Sequence, residues 1–167
     1  MVAEGCPYVG VLYVGIMVTP QGPKVVEYNV RFGDPEAQVI LPLYDGDLLE
    51  LLHAVTCGNV ADIEVKENKG SAAVIVLASG GYPGAYEKGK KISGIALADE
   101  VDRVKVFHGG TKISEGDVLT NGGRVLGVTG IGNSIKESID NAYLGVSKID
   151  FENNYFRKDI GQKALGR

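Results

Sequence analysis

Cysteine and proline are scarce in this sequence, and neither a secretory leader nor a membrane-length apolar run is seen. The only cysteines, Cys6 and Cys57, lie far apart and outside any CxxC or Cys/His cluster. That spacing argues against a disulfide framework and against a structural zinc site. No Asn-x-Ser/Thr acceptor occurs either, so reduced thiols and a cytoplasmic location are expected. Met1 to Pro7 has neither the basic region nor the apolar core of a signal peptide. The apolar run from Val9 to Val18 is only ten residues, too short to span a bilayer as a helix. With 6 prolines and no G-X-Y period, the glycines do not make a collagen. A net charge of −4 leaves no electrostatic footprint for nucleic acid or an anionic membrane. The basic residues Lys148, Arg157, Lys158 and Lys163 are interrupted by acids and read as solvated surface.

Catalytic signatures are missing too. There is no G-x-S-x-G elbow and no Cys–His signature, so nucleophilic hydrolysis has no support. His53 falls among leucines on a helical pattern and reads as an amphipathic position. His108 precedes Gly109-Gly110, where a backbone hydrogen bond is the simpler role.

Glycine is abundant: 24 of 167 residues, about twice the usual share. Apolar content of 44% and charged content of 23% are ordinary for a folded protein of one domain or two small ones. The glycines must therefore serve turns, close backbone approaches or ligand loops. Two glycine patterns invite the last reading and fail it. Gly84 to Lys91 approaches a P-loop, but its last position is Lys91 rather than Ser or Thr, and strand-like Ile92 to Ile95 follows instead of a helix. Gly127 to Gly132 hints at a dinucleotide fingerprint. It lacks the third glycine in register and an acidic residue about 20 positions on.

Val9 to Val18 is β-branched and aromatic, and predicts a strand buried on both faces. Thr19 to Pro23 is a turn, and Lys24 to Val30 a second strand, forming a hairpin. Asp34 and Pro35 look like the cap and first residue of a helix running toward Leu43. Asp47 opens a second helix with Leu48, Leu51, Leu52 and Val55 on one face, closed by Gly58. Asn59 to Gly70 is polar and marks a junction. Beyond it, Ser71 to Ser79, Val104 to His108, Asp117 to Thr120 and Arg124 to Thr129 are strands. Ser134 to Glu137 is a capping box that opens a helix with Ile135, Ile139, Ala142, Tyr143 and Val146 on one stripe.

One segment combines chemistry-bearing residues. In Glu27 to Glu36, strand alternation sends Glu27, Asn29 and Arg31 to one face. Glu and Asn offer hard oxygens to magnesium, which usually also takes phosphates and water. An adjacent Arg suits a phosphoryl group that gains charge in the transition state. A surface strand with an Arg–Glu pair fits the same spacing.

The stretch Gly10 to Leu43, with RFGDPEAQ at Arg31 to Gln38, resembles the glycinamide ribonucleotide synthetase family of ATP-grasp ligases. The resemblance continues through Ala78 to Gly84, Val106 to Thr111, Thr120 to Leu126 and Tyr155 to Gly161. It implies an α+β fold: the end of an ATP-grasp domain of antiparallel strands plus helices over 1–62, then a small β-rich barrel or sandwich-hybrid C-terminal domain over 63–167. It also implies ATP-dependent ligation of glycine to 5-phosphoribosylamine through a glycyl phosphate, in purine biosynthesis. On that resemblance Glu27 and Asn29 are magnesium or manganese ligands bridging the ATP phosphates. Arg31 is catalytic, Asp34 and Glu36 are substrate-binding, and Met17 is the apolar floor under the nucleotide. The strand Val9 to Val18 lacks the acidic metal ligand that many ATP-grasp enzymes carry there. The family's phosphate loop and ATP-holding lysines are expected upstream of Met1, in parts against which this chain would pack. Two readings follow: a working ligase element, or a noncatalytic or truncated module, possibly from a multifunctional purine-synthesis protein.

Overall fold

A computed structural model describes residues 1–66 and 69–166. Two compact units make up the chain: residues 1–37 with 44–68, and residues 38–43 with 69–167. The expected junction between Asn59 and Gly70 includes Glu67 and Asn68, which lie outside the described residues.

The first unit begins with an antiparallel hairpin of β1 (Tyr13–Thr19) and β2 (Gly22–Asn29). The turn is tighter than the sequence predicts, because Thr19 already pairs with Gly22. The Thr19 hydroxyl donates to the Gly22 carbonyl at 2.7 Å and accepts from the Gln21 amide at 3.3 Å, which closes the turn without a longer loop. Pro23 is tolerated in β2 because a two-stranded ribbon has two edges, where a missing N–H costs no ladder bond. The register slips between Gly15 and Ile16, so Gly15 faces Glu27 while Ile16 faces Val25. Val26 is therefore the extra residue of a β-bulge.

The expectation that Val9 to Val18 is buried on both faces needs correction. Ile16, Met17 and Val18 are 56%, 57% and 85% exposed. Among the described residues β1 and β2 form a two-stranded sheet that leaves these side chains open. The helix expected from Asp34 is also corrected. Asp34–Pro35 is a cis peptide within a turn, and α1 (Ala37–Ile40) starts later, with the Ala37 amide bonded to the Gly33 carbonyl at 3.0 Å. Pro42 stops α1 after one turn, since it has no N–H to continue the ladder. By contrast α2 (Leu48–Cys57) follows the sequence reading. Asp47 accepts from the Leu49 and Glu50 amides at 2.8 and 3.0 Å, and Gly58 closes the helix at φ 77°.

In the second unit the strands are β3 (Ser71–Ser79), β4 (Val104–His108), β5 (Thr111–Ser114), β6 (Asp117–Thr120), β7 (Arg124–Gly132) and β8 (Asn154–Tyr155). Its helices are α3 (Ile95–Asp99), α4 (Ile135–Val146) and α5 (Gln162–Leu165). The main sheet runs β4-β7-β3-β8, all antiparallel, and β5-β6 forms a separate hairpin. The fold is α+β with mostly antiparallel strands.

Helix α4 lies along β7 and β3. Bare glycines let it come close: a Cβ on Gly130 would overlap the Ser138 carbonyl and the Ala142 amide of α4. On the opposite face the Thr129 hydroxyl donates to the Gln38 carbonyl at 2.8 Å, so the short 38–43 segment covers that side. Between these layers Ile75, Leu77, Val125 and Val128 are fully buried. Burial of each such side chain stabilises the fold by about 1.5–3 kcal/mol.

The sequence reading overlooks β5 and α3, and with them the short β8 and α5. Strand β5 has one apolar residue, exposed Ile113, and is defined by the Glu115-Gly116 turn, whose φ values of 52° and 85° suit a tight hairpin. Helix α3 has only five residues, too few to show a period. Around Ile92 the expected strand shrinks to single bridges at Lys91 and Ser93.

Two substitutions test this packing. Gly130→Ala should destabilise the chain by about 2–3 kcal/mol, because the added methyl meets helix backbone rather than a mobile side chain. Ser134→Ala, which removes the acceptor for the Glu137 amide at 3.2 Å, should cost about 1 kcal/mol. Denaturant unfolding measures both, and the opposite order would contradict the packing argument.

Candidate functional site

The bulge at Val26 determines which side chains of the hairpin share a face. From Glu27 onward, alternation carries Glu27 and Asn29 to the side of their partners Gly15 and Tyr13. Gly15 leaves room for the acidic side chain, since a Cβ there would stand 3.2 Å from Glu27 Cγ. Asn29 Nδ2 donates to Glu27 Oε1 at 2.9 Å. An amide facing a carboxylate must present its NH₂, so the Asn29 carbonyl oxygen and Glu27 Oε2 remain as acceptors. Glu27 is exposed and Asn29 half-buried.

Arg31 continues on the same side past the end of β2. Its guanidinium donates to the Phe32 carbonyl at 2.8 Å, which leaves several of its five donors for another group. Glu36 reaches back from the turn that follows and accepts from the Tyr13 hydroxyl at 3.2 Å. Tyr13, Glu27, Asn29, Arg31 and Glu36 thus form one polar surface. Glu36 holds the Tyr13 hydroxyl above its ordinary value, with further upward pressure from desolvation and Glu27 and a downward pull from Arg31.

The other expected site residues are less tightly gathered. Asp34 is exposed in the turn between Arg31 and Glu36. Met17 stands one alternation beyond Gly15, opposite Lys24, at 57% exposure. Tyr13 is the member of this polar surface that the sequence reading does not single out. The hairpin register brings it there: the two-residue turn alone would set Tyr13 opposite Tyr28, and the extra residue Val26 moves the pairing to Asn29.

The donors suit a hard cation, since both are oxygens. Among the described residues no group of three or more His, Cys, Asp or Glu is placed to hold a metal. Any cation at Glu27 and Asn29 would need oxygens from a bound ligand as well.

The glycine-rich segments of the second unit behave as the sequence predicts. Gly84 to Lys91 is a loop, where Lys90 pairs with Glu87 at 2.7 Å and with Glu152 at 3.0 Å. Lys90 in turn holds the Glu87 carboxyl below its usual range. Gly127 to Gly132 is part of β7. His108 Nδ1 meets the Thr111 hydroxyl at 3.0 Å, a side-chain partner rather than the backbone one expected. Arg157 grips both Asp159 oxygens at 2.9 and 2.8 Å and holds that carboxyl low. Among the described residues no helix is long and apolar enough to cross a membrane.

Comparison with known proteins covers both units. Residues 72–163 match the family model for the phosphoribosylglycinamide synthetase C domain. Residues 1–37 match the model for the ATP-grasp (A) domain of the same synthetase. A phosphoribosylamine–glycine ligase from Synechocystis is 52% identical over 97% of this chain, which covers 39% of that relative. The trifunctional purine biosynthetic protein adenosine-3 of Gallus gallus is 49% identical over 97% of this chain and 16% of the relative. The crystal structure of a phosphoribosylamine–glycine ligase from Thermotoga maritima aligns with a TM-score of 0.75 at 36% identity, over 89% of this chain and 36% of that one. The chain therefore spans about two fifths, or less, of the length of these relatives.

The Tyr13 shift makes a direct prediction. The folded chain favours the neutral phenol, so its stabilising effect is complete below the unfolded value of about 10 and is lost as pH rises through the folded one. Glu36→Gln should return the Tyr13 titration toward the ordinary value, read from its ring carbon shifts by NMR. A Tyr13 titration unmoved by that substitution would contradict the pairing.

Proposed function

From this chain's membership of the phosphoribosylglycinamide synthetase family, we propose that it is part of an ATP-dependent ligase joining glycine to 5-phosphoribosylamine. The observation that carries the reading is the shared face of Glu27, Asn29 and Arg31, which falls within the part matched by the ATP-grasp model. In this reading residues 1–62 close the ATP-grasp domain and 63–167 form the C-terminal domain. The exposed thiols of Cys6 and Cys57 support a cytoplasmic setting.

Glu27 Oε2 and the Asn29 carbonyl oxygen would hold magnesium or manganese beside the ATP phosphates. When bound, the cation screens phosphate charge and orients the transferred group. Arg31 would donate to the phosphoryl oxygens as their charge grows, a charge-assisted contact stronger than a neutral one. Transfer to the glycine carboxylate gives an acyl phosphate, and the amine of phosphoribosylamine then displaces phosphate. Asp34 and Glu36 would bound the substrate end of the site. Met17 would lie beneath the base, as an apolar side chain already open to a ligand. Exposed Ile16, Val18 and Val26 would be covered by parts of the synthetase that this chain does not span.

This chain alone should release no ADP from ATP in the presence of glycine and phosphoribosylamine, because it spans only 39% of a complete relative. In the full-length enzyme Glu27→Gln should lower magnesium-dependent turnover at least about 100-fold, the scale of losing one electrostatic group in a phosphoryl-transfer site. Steady-state ADP release measures both. Unchanged activity at saturating magnesium removes Glu27 from the ligand set.

A further inference from the structure

Two features seat the Glu36 carboxylate, and the ligase reading assigns neither of them a task. On one side the Tyr13 hydroxyl donates to Oε1 at 3.2 Å, across 23 residues of chain. On the other, Gly33 is buried, and a Cβ there would overlap Oε2. The carboxylate is thus confined between a phenol and a bare stretch of backbone. Glu36 is half-buried and takes part in none of the ion pairs among the described residues. A carboxylate in that state offers a seat for a cationic group of a ligand.

We infer that Tyr13 is a positioning residue that, with Gly33, seats the Glu36 carboxylate to receive the ammonium group of the amino-acid substrate. The inference rests on the ligase reading and deepens it. In that reading the glycine carboxylate accepts the phosphoryl group, so it lies beside Arg31 and the Glu27–Asn29 pair. The ammonium group is separated from that carboxylate by one methylene, so its receptor must belong to the same surface. Tyr13 supplies the link. Its backbone pairs with Asn29, and its hydroxyl holds Glu36. One side chain therefore ties the metal-binding end of the strand to the substrate end. Tyr13 touches no reacting atom; it acts through Glu36.

Tyr13→Phe in the full-length enzyme removes only the hydroxyl. The KM for glycine should rise about tenfold, equivalent to about 1.4 kcal/mol. The kcat should change less than about twofold, the KM for ATP should hold, and calorimetric glycine binding should weaken by the same tenfold. Gly33→Ala, which displaces the carboxylate from its other side, should raise the same KM. In a Tyr13→Phe/Glu36→Gln double variant the Tyr13 effect should vanish, because the group it seats has lost its charge. A glycine KM unmoved by Tyr13→Phe, with Glu27→Gln still abolishing activity, overturns the inference and leaves the ligase reading intact. A fall in kcat alone also overturns it, since that marks a general structural role. If the intact enzyme does not ligate glycine, the ligase reading fails and this inference falls with it.

Discussion

Val26 has no partner across the β1–β2 hairpin, and that extra residue decides which side chains of the first unit meet. A two-residue turn sets the register at Thr19 and Gly22, and the bulge then shifts it by one position before Glu27. Without the shift, strand alternation would send Glu27 and Asn29 to the other face. With it, they stand opposite Gly15 and Tyr13, the first making room and the second reaching Glu36. A bulge also increases local twist and turns a strand end. Here that end carries Arg31 and leads into the turn holding Asp34 and Glu36.

The glycines do a different job from the one their abundance first suggests. Neither glycine-rich pattern forms a phosphate cradle. Gly130 and Gly132 on β7 leave space for α4 to approach the sheet backbone, and Gly145 on the helix leaves the same space for Val104 and Val128. Each layer is bare where the other comes close, Gly130 and Gly132 under the helix backbone and Gly145 over the two valines, so the layers lie closer than facing side chains would allow. Close approach lets a small module bury Ile75, Leu77, Val125 and Val128 completely.

The elements legible in the sequence are those whose signal is local and repeated. The α2 caps at Asp47 and Gly58, the capping box at Ser134 and the apolar run of β3 each announce themselves within a few residues. The misjudged elements depend on contacts that sequence spacing does not carry. Val9 to Val18 looks buried because its residues are apolar, but burial requires a covering layer, and among the described residues Ile16, Met17 and Val18 stay exposed on a two-stranded ribbon. Strand β5 was invisible because it is held by its turn and its partner β6 rather than by apolar alternation. At the site, alternation alone placed Glu27, Asn29 and Arg31 on one face. The part played by Tyr13 was hidden because it depends on register across 16 residues, which no local pattern specifies.

Exposure of the polar face is consistent with its proposed chemistry. Glu27 and Asn29 offer too few oxygens to desolvate a divalent cation by themselves, and magnesium gives up its water reluctantly. A preformed cage would bind the ion without its nucleotide. In the proposed reading an open pair would leave most of the coordination to phosphate and water, so that affinity would depend on the nucleotide being present. The Glu27–Asn29 hydrogen bond matters in this setting because it orients both donors before any ligand arrives. Pre-orientation of two ligands, rather than completion of a site, is the contribution that a strand of this kind can make from its own residues.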